Sequence, residues 1–216
     1  MRTSSAILLS LCLAAGAAQA QGFKFSNDPD AAADAQQKAE RDAVITSQLS
    51  TPCRNQIRNR KIMVVIAEER NGRLMTQQSG FNRHIESINT RLEALGLKTY
   101  TPAQIRAQVA QAEIDAYFKN DADAALSASR RMAAQYVLKG LIASEAGRNA
   151  IIKVNEVRIR MDFKLTDASG RLVSTAAARN ESYAGSDVAG MALDLIDERA
   201  DEVVAQLYSD YCRRAR

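Results

Sequence analysis

Two adjacent carboxylates, Glu68 and Glu69, stand beside Arg70 and close to Arg73. They directly follow an apolar run, and ligand sites in open α/β sheets gather beyond the carboxyl ends of strands. A carboxylate pair so placed could serve acid/base hydrolysis. The plainer reading is a solvated, charged loop. A sugar hydrolase would normally stack its substrate on aromatic rings, and this chain has no Trp and only 5% aromatic residues. The single histidine, His84, is a poor metal centre, because zinc sites want three or four ligands. A Ser-His-Asp triad would have to use it, and no G-x-S-x-G elbow is present. Gly72 and Gly80 are not followed by the G-K-[ST] ending of a phosphate loop. No cofactor and no metal are expected.

Other residues carry binding rather than reaction chemistry. Arg158, Arg160 and Lys164, with Arg171 as a further candidate, fall on one face of an alternating segment. Such a basic stripe could meet an acidic partner or anionic wall polymer, or simply solubilise the surface. Leu74 and Met75 are an apolar pair in polar company. They are candidates for a partner contact, the alternative being that they tuck into the core. The net charge of +4 includes Arg2; without it, 28 Lys and Arg face 25 Asp and Glu, a net +3. That balance lacks the charge blocks of a nucleic-acid binder.

The N-terminus sets the compartment. Arg2 precedes an apolar run over 6–18 that ends in Ala18-Gln19-Ala20, the pattern of a cleavable signal peptide. The run is too short to span a bilayer, which takes about 20 residues. Cleavage after Ala20 is expected, giving a periplasmic protein without an integral membrane segment. A lipoprotein anchored at Cys12 is the alternative, against which Leu11 is a large residue where lipoprotein signals carry a small one. Cleavage leaves two cysteines, Cys53 and Cys212, the number for one disulfide in an oxidising compartment. A redox pair is the alternative, although no C-x-x-C occurs.

Residues 21–51 read as an Ala-, Gln- and Asp-rich flexible leader with a frayed helix near 31–49 that stays off the core. The folded domain is expected over 52–212, with a basic tail at 213–216. Residues 61–67 form a β-branched run without alternation, a strand buried on both faces. Residues 68–80 read as loop. Phe81, Ile85, Ile88, Leu92 and Leu95 mark one helix face, and Gly96 suits its C-terminal cap. Residues 97–100 are expected to be a short strand, completing a βαβ unit. Thr101-Pro102 with Gln104 predicts a capping box and a helix to Phe118. A second helix is expected over 121–134 and a strand over 136–142. From Val157 to Leu165 apolar and charged residues alternate, a half-buried strand. Ile152 and Val154 are out of phase with it, which predicts a bulge near Asn155-Glu156. Asp167–Gly170 is a hairpin turn and 171–179 the return strand. Val188, Met191, Leu195, Val203, Leu207 and Tyr211 predict a long amphipathic helix that opens at Ser186-Asp187 and returns Cys212 towards Cys53. The fold class is α/β: a mixed sheet of about five strands, with a βαβ start and a C-terminal antiparallel hairpin, packed by about four helices in two or three layers.

This order of elements resembles the periplasmic α/β domain shared by the curli secretion channel subunit, the lipoprotein activator of penicillin-binding protein 1B, the middle domain of flagellar assembly protein T and the N-terminal domain of TolB. The strand at 62–67, the helix end Leu92-Glu93-Ala94-Leu95-Gly96-Leu97 and the junction Ala133-Ala134-Gln135-Tyr136-Val137-Leu138-Lys139-Gly140 carry the resemblance. It covers roughly 60–210. The chain departs from the lipoprotein members in lacking a lipobox, and its hairpin is too short and too charged to span a membrane. The resemblance implies a periplasmic, non-enzymatic accessory protein that acts by binding a cell-envelope protein. Glu68, Glu69, Leu74, Met75, Arg158, Arg160 and Lys164 are its candidate contact residues. A small hydrolase using Glu68 or Glu69, and a wall-polymer binder using the basic hairpin, are the competing expectations.

Overall fold

Ile62–Arg70 form the strand around which the rest is organised, β1, in the computed structural model, which describes residues 29–214 except 71, 149, 152 and 185–187. The signal peptide, its cleavage site, Cys12 and the expected helix start at Ser186-Asp187 lie outside the described residues. Six consecutive residues, Ile62 to Ala67, are buried, as expected for a strand covered on both faces. The sheet is mixed, in the order β2-β1-β3-β4-β5, with β2 at Arg73–Met75, β3 at Tyr136–Arg148, β4 at Asn155–Asp167 and β5 at Leu172–Ala184. β1 and β3 are parallel, and the other neighbours are antiparallel.

Seven α-helices occur among the described residues: the frayed helix of the leader and the expected packing helices are present, a short helix at Arg54–Ile57 is added, and the helix expected to end at Phe118 is split in two. They are α1 (Pro29–Leu49), α2 (Arg54–Ile57), α3 (Asn82–Ala94), α4 (Pro102–Gln108), α5 (Gln111–Phe118), α6 (Ala122–Met132) and α7 (Val188–Arg214). Two clusters bury the two faces of β1. Ile62, Val64 and Ile66 pack with α3, α7 and the inward residues of β4 and β5. Met63, Val65 and Ala67 pack with Ile105, Ile114, Phe118 and Met132 of α4–α6. The domain is therefore three-layered at β1 and β3 and two-layered at β4 and β5.

Local chemistry accounts for many of the boundaries. The Thr101 hydroxyl accepts from Gln104 N–H and the Gln104 side chain accepts from Thr101 N–H, the expected capping box. α3 ends with Gly96 at φ +100°, where Gly96 N–H donates to Glu93 O and Leu97 N–H to Leu92 O. That is a Schellman closure, which a glycine enters at no steric cost. α7 presents Leu195, Val203, Val204, Leu207 and Tyr208 to the core, and Ala200 and Ala205 are fully buried on it. These small residues, with Ala176 and Ala178 of β5 also buried, let the helix lie close to the sheet. Cys53 Sγ and Cys212 Sγ are joined, 159 residues apart in sequence, with Cα atoms 5.4 Å apart.

The structure corrects several expectations. Residues 97–100 form no strand: the segment makes one parallel bridge, Lys61 with Lys98, and the strand that completes the crossover is β3. The expected helix to Phe118 breaks at Val109, which is extended (φ −113°, ψ 121°) and buried. Glu113 then caps the new start by accepting from Ala110 N–H. The break lets Ile105, Ile114 and Phe118 reach one cluster. β4 starts at Asn155, so Val154 precedes it and needs no bulge; Ile152 lies outside the described residues. The register shift is instead at Leu165/Thr166, opposite the start of β5. Leu49, at the end of the expected leader, packs on the core, and Tyr208 Oη donates to Thr51 O at 2.6 Å. α7 continues through Arg214 where a basic tail is expected, because Arg213 pairs with Asp210 and Arg214 donates to Leu172 O; Arg216 lies outside the described residues.

Candidate functional site

The segment expected as loop, 68–80, is instead the margin of the sheet. β1 runs on to Arg70, and β2 folds back on it with Glu68 opposite Met75, Glu69 opposite Leu74 and Arg70 opposite Arg73. Gly72 in the connection has φ +73°. The signal was present: Asn71-Gly72 is the dipeptide that tight hairpins select. Beyond Met75 the ladder is continued by a side chain. The Gln78 carboxamide accepts from Ile66 N–H at 3.0 Å and donates to Ile66 O at 2.8 Å, and Gln78 is fully buried. Its amide thus replaces the next backbone partner of β1, and the chain turns away in a 3-10 turn, Gln78–Phe81. Nothing in the sequence pattern marks Gln78 for this task. Thr76 Oγ1 donates to Asp115 Oδ1, and Gln111 donates to both, tying the segment to α5. These hydrogen bonds hold the Asp115 carboxyl below its usual pKa. The result is a short edge strand held in place at both ends, with Leu74 42% and Met75 39% exposed.

Because successive strand residues point to opposite faces, β1 separates the two glutamates. Glu68 lies on the face of Ile62, Val64 and Ile66, where it accepts from Arg70 at 2.8 Å and from Ser144 Oγ. Glu69 lies on the face of Val65 and Ala67, and is itself exposed at the end of the strand. They do not form a carboxylate pair. His84 is near enough to Glu68 for that charge to oppose the effect of burial, yet burial dominates and its pKa is lowered. Its Nδ1 is buried without a hydrogen-bond partner, and Ser144 donates to Glu68 rather than to the imidazole. No group of three or more metal-ligating side chains occurs among the described residues.

The pairing registers align the remaining candidates. One row runs Leu74, Glu69, Ala143, Arg160, Arg179 across all five strands. At about 4.8 Å per strand, Leu74 and Arg160 are roughly 14 Å apart. Met75 and Glu68 belong to the core-facing row through Ile142, Met161 and Ala178. Arg158, Arg160 and Lys164 do share the open face of β4, all exposed. The stripe is largely neutralised, however. Arg158 pairs with Glu156 and Glu181, Arg160 with Asp162 at 2.6 Å, and Arg171 with Asp167 at 2.8 Å. Glu156 and Asp162 belong to the same face of β4 and follow from the alternation, whereas Glu181 is brought opposite Arg158 by β5.

No protein-family model matches the chain, and no curated protein matches it. Several solved structures are similar to it. A PelC dodecamer from Paraburkholderia phytofirmans is 19% identical, covering 67% of this chain and 87% of that one, with a TM-score of 0.40. Lipoprotein GNA1162 from Neisseria meningitidis is 16% identical, covering 66% and 96%, with a TM-score of 0.40. The LpoB C-terminal domain from Salmonella enterica is 13% identical, covering 64% and 93%, with a TM-score of 0.39. These are likenesses in the arrangement of strands and helices.

Proposed function

We propose that the protein is a non-enzymatic periplasmic accessory factor that binds a cell-envelope protein by pairing an extended segment of it to the β2 edge. The observation that carries this reading is an open sheet margin with two large apolar side chains, Leu74 and Met75, exposed on it. Natural sheets protect such margins with charges, bulges or covering elements, since unpaired backbone groups recruit other strands. The opposite margin is protected at its start, where Gln206 and Arg214 of α7 donate to Thr175 O and Leu172 O. β2 is anchored by Gln78 and Thr76, so little order is lost on pairing. Strand addition takes affinity from main-chain bonds and specificity from alternate side chains. Leu74, with Glu69 behind it in the same row, would read one face of the added strand and Met75 the other, whereas Arg160, three strands inward, is out of its reach. The signal-like N-terminus and the Cys53–Cys212 bridge support export to an oxidising compartment. No helix among the described residues is long and apolar enough to cross a membrane.

The test is site-specific photo-crosslinking in cells, with the probe at Leu74 or Met75 and, as control, at Leu172, which is 51% exposed on the far margin. Adducts to one protein from 74 and 75 but not from 172 are expected. With the probe at 74, Met75→Asp should weaken the adduct, and with the probe at 75, Leu74→Asp should do the same, in neither case lowering the melting temperature. No adduct at either β2 position, or equal adducts from 172, would overturn the proposal.

A further inference from the structure

At the other end of the sheet, away from β2, lies a polar cleft of about 490 Å³. Its volume falls in the roughly 300–1,000 Å³ range of small-ligand sites. Its walls come from distant parts of the chain: α2 and the turn after it, the junction before β3, and the end of α7. Arg58 and Arg60 line it, and no acidic residue does. Arg54, Lys61 and Lys98 stand exposed around this end of the sheet, and none of the five cations forms an ion pair among the described residues. This contrasts with the β4 arginines, which are paired. The remaining lining is mostly amide, from Asn55, Gln56, Asn59 and Gln135, with Tyr211 at one side.

The cleft is built on fixed backbone. Asn59 sits at φ +63°, a conformation asparagine tolerates, and its N–H donates to Gly96 O at 2.8 Å. Arg60 is held by its N–H to Ile57 O and by Nε to Gln56 O. Gln135 Oε1 accepts from Lys61 N–H, and Tyr136 Oη donates to Tyr211 Oη.

We infer that this cleft binds a carboxylate-bearing saccharide, a site separate from the β2 edge and independent of the function proposed for it. Guanidinium forks match planar carboxylates in bidentate geometry. Carboxamides both donate and accept, as sugar hydroxyls do. A peptide would need a strand edge or an apolar groove, and this lining is polar. Single-stranded nucleic acid would need several stacking rings, and the cleft has one tyrosine. Exposed cation contacts are individually weak, so the ligand is a chain that makes several at once.

The full chain is titrated calorimetrically with hexagalacturonate, neutral maltohexaose, hexaglutamate and inorganic phosphate at low and at physiological salt. Hexagalacturonate is expected to bind, more weakly as salt rises; the neutral sugar should not bind, and the peptide and phosphate should bind at least tenfold less well. Arg58→Gln with Arg60→Gln should weaken hexagalacturonate binding by about tenfold or more. Arg158→Gln with Arg160→Gln should leave it unchanged. Circular dichroism melting shows that each variant is folded, and Gln135→Ala provides a second lesion in the same cleft, expected to weaken binding a few-fold. Absence of hexagalacturonate binding, equal binding by the peptide or phosphate, or equal loss in the two arginine variants would overturn the inference.

Discussion

Replacing Gly140 by alanine is expected to destabilise the protein, although alanine normally beats glycine within a strand by about 0.5–1 kcal/mol. Gly140 lies in β3 between Ile66 and Phe163. A Cβ there would fall 2.4 Å from Phe163 Cε1, with Cδ1 and Cζ at 3.0 and 3.1 Å. Carbon atoms in contact prefer roughly 3.5–4 Å, so the ring would have to shift by about 1 Å. Phe163 is 1% exposed, so the shift would displace buried neighbours rather than solvent. Overpacking of this kind costs about 1–3 kcal/mol, which exceeds the gain in strand preference and leaves a net loss of about 1–2 kcal/mol. For a domain of this size the melting temperature should fall by about 2–8 °C. Phe163→Leu alone should also destabilise, by opening a cavity. With leucine at 163, however, Gly140→Ala should be neutral or stabilising. Urea and thermal unfolding of the four proteins measure the coupling. If alanine at 140 is harmless beside Phe163, or if the two losses add within about 0.5 kcal/mol, the packing argument is refuted.

Reduction of the Cys53–Cys212 bridge frees a loop spanning 159 positions, worth about 5 kcal/mol in the chain-entropy model and commonly 2–4 in practice; a fully reduced protein, verified by thiol count, should melt about 10 °C lower. For Asp167, burial favours the neutral form, but hydrogen bonds from Ser169 and Arg171 outweigh it and hold the pKa at about 2. A carboxyl depressed in the folded state stabilises above its ordinary pKa near 4 and loses that contribution as pH falls towards 2. Asp167→Asn should therefore cost about 1 kcal/mol at neutral pH and nothing near pH 2, as read from denaturant midpoints across pH. Arg91 of α3 reaches Asp197 and Asp201 of α7 at 3.1 and 2.7 Å; Arg91→Ala should cost about 1–2 kcal/mol, with part of the loss suppressed by high salt, in the same assay.

What could be read from the sequence was local. The buried run of β1, the α3 stripe, the Thr101 box, the Gly96 cap and the Asp167–Gly170 turn each depend on residues a few positions apart, and each appears where expected. Three residues cannot show a period, so β2 reads as loop, although Asn71-Gly72 marks the turn. Ending β1 at Ala67 hid the fact that Glu68 and Glu69 would face apart. The break at Val109 carries no glycine or proline, and tertiary burial sets it. Glu181 opposite Arg158, and the amide of Gln135 beside Arg58 and Arg60, are brought there by strand pairing and chain return, which periodicity does not encode; Glu156 and Asp162, two positions from these arginines in β4, are legible in the alternation.

The strand order also dictates a sequence of events. β3, β4 and β5 are linked by successive hairpins, whereas β1 reaches β3 only across four helices. Short loops close faster than long ones, so the three-stranded meander assembles first and β1 docks later. Until it does, the flank of β3 that carries Val137 and Leu138 is an unprotected margin, open to wrong partners. Pulse-labelled hydrogen exchange should find β4 amides protected before those of β1. The same chain that presents a small controlled margin at β2 when folded passes through a much larger one on its way there.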